Sequence, residues 1–217
     1  MSLDHRLFVL INQHWTNAGL DWWSALVRAT EIWLIPALII VALVAWRGSP
    51  RARSTGALCL LVFAIGDAGF VRTLKIVSQR PRPMAVLDGV RSVRLARIEP
   101  RVLALAQPLD IQVIAAAAPG EKPRSFPSGH AWNSFAIATL LALSWRRWGW
   151  LAFLPALLVG LARVHAGLHW PTDVLASAIL SPPATLGLIV VIERTWQRFA
   201  PTRWRERLPG ILQAPTA

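Results

Sequence analysis

Ser125-Phe126-Pro127-Ser128-Gly129-His130 leads straight into an apolar run that ends at Trp145. The hexapeptide is polar and rich in turn residues, and the run after it has the length and composition of a buried or spanning helix. Serine can cap such a helix, glycine lets an anion approach backbone N–H groups, and histidine can donate a proton. A helix N-terminus is itself a site for phosphate. Taken alone, Pro-Ser-Gly-His reads equally well as a turn with an N-cap. Two basic runs decide between these readings, Lys75 to Pro83 upstream and Arg163 to Asp173 downstream.

Around this stretch the chain has 217 residues, 54% of them hydrophobic and only 16% charged. A soluble domain carries about a quarter of its residues as charges. The apolar residues gather into runs near the ~20 residues that cross a bilayer. The sequence therefore predicts a single integral membrane domain over residues 1–217. A net charge of +12 would suggest nucleic acid in a soluble chain. Here the arginines flank apolar runs, which points to membrane topology and anionic lipid, with no nucleic-acid partner. Cys59 is the single cysteine, so there is no disulfide framework and no cysteine metal site.

Five spans are expected. Residues 1–17 form a short amphipathic helix lying in the interface, with Leu3, Leu7, Leu10, Ile11 and Trp15 on one face. The first span runs from about Leu20 to Trp46, with Arg28 and Glu31 spaced to pair at the membrane edge. The second runs from about Thr55 to Lys75 and holds Asp67 and Arg72; Asp67 is read first as a structural partner for an arginine. A long polar and basic outer loop follows, about 76–129, carrying Arg80, Arg82, Arg91, Arg94, Arg97, Arg101, Lys122 and Arg124. Within it residues 93–98 alternate like a strand, and residues 103–114 are apolar enough to pack on something. Spans three, four and five run from His130 to Trp145, Trp150 to about Leu168, and Pro171 or Asp173 to Ile192, the last with a kink at Pro182-Pro183. A basic tail, about 194–217, closes the chain.

Three arginines follow span one, two follow span three and five follow span five. By the positive-inside rule that side is cytoplasmic. The two basic runs and the Ser125–His130 hexapeptide then meet at the outer face. Each run alone is compatible with snorkelling cations or a structural His–Asp pair. Together they supply what phosphoryl transfer needs. Arginines hold non-bridging oxygens bidentately, a lysine adds a point charge, and a helix N-terminus adds N–H donors. One histidine can attack phosphorus with an aspartate orienting it, and a second can protonate the leaving oxygen. No carboxylate cluster suited to a metal is evident, so neither metal nor cofactor is expected.

In order and internal spacing, Lys75-Ile76-Val77-Ser78-Gln79-Arg80-Pro81-Arg82-Pro83, Pro127-Ser128-Gly129-His130 and Arg163-Val164-His165-Ala166-Gly167-Leu168-His169-Trp170-Pro171-Thr172-Asp173 resemble the signature of the type 2 phosphatidic acid phosphatase family, whose site is shared with vanadium haloperoxidases. The resemblance implies an all-α polytopic bundle of about five or six membrane helices and a phosphohistidine mechanism. It implies His169 as nucleophile, Asp173 as its orienting partner, and His130 as general acid and then base. Lys75, Arg82, Ser128, Gly129 and Arg163 would bind the phosphoryl group. The family often has serine directly before the arginine of the third motif; Ala162 stands here and is expected to remove a supporting hydrogen bond, not activity. Arg80 is a candidate substrate contact, although spacing favours Arg82. His165 is expected to support the site from behind or to lie at the interface.

The implied activity is a lipid-phosphate phosphatase in a bacterial inner (plasma) membrane, its site facing the periplasm or exterior. Undecaprenyl diphosphate is the first choice of substrate. Phosphatidylglycerol phosphate, phosphatidic acid and the phosphate of lipid A are alternatives. A phosphotransferase acting on a second lipid is an alternative reaction, and a non-catalytic scaffold binding anionic lipid is a further reading.

Overall fold

A computed structural model describes residues 2–116 and 124–212; Lys122 and the end of the basic tail lie outside the described residues. Among the described residues, three helical rods are long and apolar enough to cross a membrane. They are α3 (Thr30–Arg47), the rod from Pro50 to Ser78, and α9 (Pro171–Phe199). The middle rod comprises α4 (Pro50–Ile65), a π-helical stretch at Gly66–Val71 and α5 (Arg72–Ser78). Two shorter helices, α7 (Gly129–Ser144) and α8 (Phe153–His165), complete a polytopic membrane bundle. No residue of α3 is buried by protein. Its Leu34, Ile35, Leu38 and Ile40 point outward, as an all-round apolar helix does when lipid is its neighbour.

Helix α7 lies at the centre, packed against α4, α8 and α9. Small side chains permit this close approach. Ala131, Ala136 and Ala138 are buried along α7. Gly160 of α8 lies so near α9 that a methyl group there would meet Val174 Cγ1 at 2.5 Å. Hydroxyls lock the α7–α9 seam, with Ser181 Oγ donating to the Trp132 carbonyl (2.8 Å) and Ser177 Oγ accepting from the Ser128 N–H (3.1 Å).

The first expected span is two elements. Helix α2 (Ala18–Arg28) stops at Ala29, whose backbone (φ −82°, ψ 70°) leaves the helical region before α3 begins. Its inner face, with Asp21, Ser24, Ala25 and Val27, is buried against α8 and the outer loop, so α2 faces protein and α3 alone faces lipid. The break also separates the expected Arg28–Glu31 pair. Glu31 bonds Arg101 (2.7 Å) instead, and Arg28 donates to Ser92 Oγ (2.9 Å).

Helix α1 (Leu3–Val9), prolonged by a π-helical turn at Leu10–His14, leaves Leu3, Leu7 and Leu10 outward and buries Phe8 and Asn12. In the outer loop a short helix α6 (Pro83–Val86) precedes an antiparallel ribbon, β1 (Val90–Arg94) with β2 (Asp110–Ile114), in register Val90↔Ile114 to Arg94↔Asp110. The strand begins three residues earlier than the alternation at 93–98 suggests. Asn12 explains the difference, because its side chain bonds both the N–H (3.0 Å) and the carbonyl (2.7 Å) of Arg91. After Phe199, α10 (Thr202–Arg207) leads into a tail whose Ile211 N–H donates to Glu193 (2.6 Å).

Candidate active site

All three basic or polar runs meet at the N-terminal end of α7, joined first through the backbone. The Ser125 N–H donates to the Arg80 carbonyl (2.7 Å), and Pro81 forms an isolated bridge with Arg124. The Trp170 indole donates to the Pro81 carbonyl (2.9 Å). Side chains from three loops are thus held in one register before any ligand arrives.

Ser128 occupies the N-cap position of α7, yet its hydroxyl makes no capping bond. It is fully buried, and Oγ has no hydrogen-bond partner among the described residues. A methyl group at Gly129 would meet Asp67 Oδ1 and Val71 Cγ1 at an ordinary 3.5 Å. Packing would therefore tolerate alanine there, and glycine serves to keep the helix end open. Asp67 makes no ion pair among the described residues, so the expected arginine partner is not found.

The cations converge on the same point. Arg163, almost wholly buried, and Arg82 each carry a buried Nε with no partner among the described residues. Lys75 feels the charges of Arg82, Asp67, Arg163 and Asp173, and His130 those of Arg163, His169, Lys75 and Arg82. Buried positive charges without carboxylate partners are costly, and an anion between them would offset that cost.

Fully buried Asp173 lies in the first turn of α9, after Pro171 at its start. Its Oδ2 accepts from the Trp170 N–H (2.9 Å) and from Ser125 Oγ, and Oδ1 accepts from Arg80 (2.7 Å). His169 Nδ1 stands 3.7 Å from Oδ2, beyond a hydrogen bond but within the slack that catalytic pairs show before substrate binds. That contact turns Nε2 away from Asp173. Burial pushes the imidazole down to about 4, with Asp173 opposing and Arg163 and Arg82 assisting. The ring is therefore neutral at neutral pH.

Arg80 bridges Asp173, Asp4 and Thr172 (2.7 Å), so it braces the aspartate. His165 is fully buried and bonds Ser24 (3.0 Å), tying α8 to α2. Sequence reasoning missed Ser125 as a donor to Asp173, although it lies in the opening hexapeptide, and missed Asp4 and Thr30 altogether. Thr30 Oγ1 lies 3.3 Å from His130 Nε2. Neither has a local signal, because both act across the fold.

The N-terminal end of α7 thus gathers two histidines, an aspartate and three cations, Lys75, Arg82 and Arg163, that make no ion pair among the described residues. Residues 56–199 match the PAP2 superfamily, and the chain belongs to that family. It is 31% identical over 115 residues to an undecaprenyl-diphosphatase of Sulfolobus acidocaldarius, covering 51% of this chain and 56% of that protein. It is 30% identical over 89 residues to the undecaprenyl-diphosphatase BcrC of Bacillus subtilis, covering 41% and 43%. The matched stretches thus span about half the length of these relatives. Among solved structures, Aquifex aeolicus LpxE superposes with a TM-score of 0.56 at 23% identity, over 86% of this chain and 94% of that one. The PAP2-type phosphatidylglycerolphosphate phosphatase of Bacillus subtilis superposes with a TM-score of 0.52 at 24% identity, over 90% and 85%. Both share the fold.

Proposed function

We propose that this integral membrane protein is a lipid-phosphate phosphatase that works through a phosphohistidine at the outer face, with undecaprenyl diphosphate as first-choice substrate. The observation that carries the reading is the set of buried donors without a partner among the described residues, Ser128 Oγ, Arg82 Nε and Arg163 Nε, supplied by the three runs that meet at the start of α7. Lys75 and the open backbone at Gly129 add charge and N–H donors to the same cradle.

In this reading His169 Nε2 attacks phosphorus while Asp173 stabilises the positive charge that grows on the ring. His130 gives its proton to the leaving oxygen, then takes one from the water that opens the phosphohistidine. Support for the diphosphate comes from the names of the two undecaprenyl-diphosphatases aligned above. The test is phosphate release by purified protein in detergent with EDTA present. The panel is undecaprenyl diphosphate, phosphatidylglycerol phosphate, phosphatidic acid and a lipid A phosphate, run beside His169→Ala. Release that survives EDTA and disappears in the variant is the expected result. Silence of the wild type on all four would overturn the hydrolase reading.

A further inference from the structure

Beside the candidate site lies a second basic cleft that the proposed chemistry has not used. It has a volume of about 610 Å³ and lies between the α2–α3 junction and the outer loop, lined in part by Arg28, Arg94, Arg97, Arg101, Glu31 and Glu99. Two of its arginines are already engaged, Arg94 with Asp110 (2.6 Å) and Arg101 with Glu31 (2.7 Å). Arg28 is different. It is half-buried, and among the described residues its guanidinium bonds neutral groups, Ser92 Oγ (2.9 Å) and the Val93 carbonyl (3.4 Å). The charges it feels most among them are Arg94, Arg82 and Arg97, with Asp110 opposing. Arg163 in turn feels Arg28, so the cleft and the phosphoryl cradle share one positive field. Thr30, two residues beyond Arg28, contacts His130 Nε2. Arg28 is therefore two residues, across the break at Ala29, from a contact of the proposed general acid.

That position bears on which substrate the site prefers. An alcohol leaving a phosphomonoester departs neutral once protonated and has no use for an arginine. A phosphate leaving a diphosphate departs as an anion and does. Resting on the phosphohistidine reading above, we propose that Arg28, with Arg97 at the rim, forms a second anion subsite that holds the departing phosphate of a lipid diphosphate. In the step it serves, His169 Nε2 forms a bond to the terminal phosphorus as the bond from that phosphorus to the bridging oxygen breaks. The electron pair goes to the bridging oxygen, which takes a proton from His130, and lipid monophosphate leaves past Arg28. Water then attacks the phosphohistidine, its proton goes to His130, and orthophosphate and free His169 result. Arg28 is on this account a specificity-determining residue, favouring diphosphate over monophosphate.

The experiment measures kcat/KM for a polyprenyl diphosphate and for the matching polyprenyl monophosphate. Wild type, Arg28→Gln, Arg28→Lys and Arg97→Gln are compared in the same detergent. A charge-assisted hydrogen bond to the leaving phosphate predicts that the diphosphate-to-monophosphate ratio falls about tenfold to a hundredfold in Arg28→Gln. Arg28→Lys should recover part of that loss and Arg97→Gln show a smaller fall. Equal losses on both substrates in Arg28→Gln, with Arg28→Lys and Arg97→Gln leaving the ratio at the wild-type value, would overturn the subsite alone. A wild type that releases no phosphate from either lipid would overturn the subsite together with the reading on which it rests.

Discussion

Asp173 illustrates how much of this site is fixed residue by residue before substrate arrives. Three donors from three parts of the chain converge on its carboxylate, namely Ser125 Oγ, the Trp170 N–H and Arg80. With its oxygens so occupied, the group cannot swing away from His169, and the 3.7 Å gap can close by a small movement of the ring. The depressed basicity of His169 has a measurable consequence. Its folded-state pKa of about 4 lies below the ordinary value of 6.5. Between those values the unfolded chain holds a proton that the folded protein refuses. The stability this residue contributes is therefore complete above pH 6.5 and declines as pH falls toward 4, by about 3 kcal/mol in all. Thermal melts in detergent at pH 7 and pH 4.5 check this. The wild-type midpoint should drop more than that of His169→Gln, in which nothing titrates at the position. Equal drops would mean that the buried imidazole is not the group responsible.

Among the elements, what could be read from the sequence was what short spacing encodes. Lys75 to Arg82, the Ser125–His130 hexapeptide and Arg163 to Asp173 each keep their parts within a dozen residues, so loop and helix geometry bring them together locally. The break at Ala29 falls in a short polar stretch, Arg28-Ala29-Thr30-Glu31, which carries no proline or glycine to mark a helix end. Packing of α2 on the ribbon and α8 decides it. The same holds for Arg80, whose partner Asp173 lies 93 residues away, and for the ribbon register, which is pinned by a side chain from the N-terminus. Asn12 is that pin. Fully buried, it joins α1 to β1 and α8 by bonding the Arg91 N–H, the Arg91 carbonyl and the His165 carbonyl (2.8 Å). Asn12→Ala leaves one buried and two half-buried backbone groups without this partner and should cost about 2–3 kcal/mol, a fall in melting midpoint of roughly 4–12 °C for a protein of this size. Gln13→Ala, which removes one exposed bond to the Gly89 carbonyl, should move the midpoint by about a degree or less. If the two variants melt alike, the N-terminal helix is not fastening the outer loop.

Across the whole molecule, most arginine–tryptophan contacts among the described residues gather away from the candidate site, where Arg80 lies over Trp170 (5.3 Å). The candidate site occupies the end where α7 and α9 begin. At the other end α3, α7 and α9 finish, and the guanidinium groups there lie over tryptophans: Arg47 over Trp46 (4.3 Å), Arg147 over Trp148 (5.5 Å) and Arg207 over Trp204 (5.6 Å). Arg51 ties the same end together through the carbonyls of Ser144 (2.7 Å) and Ile211 (3.3 Å). Tryptophan belts sit at membrane interfaces, and short arginine-rich connections remain in the cytoplasm. The outer loop is also basic, but long loops cross largely regardless of charge. The expected orientation is therefore arginine–tryptophan end inside, phosphate-handling end outside. Single cysteines test it on a Cys59→Ser background. Gln107→Cys probes the exposed outer loop and Arg147→Cys the exposed turn between α7 and α8. A membrane-impermeant maleimide applied to intact cells should label Gln107→Cys at once and Arg147→Cys only after the membrane is opened. The opposite pattern would put the site on the cytoplasmic side, where it could not act on lipid phosphates of the outer leaflet, and the substrate would have to be sought in the inner one.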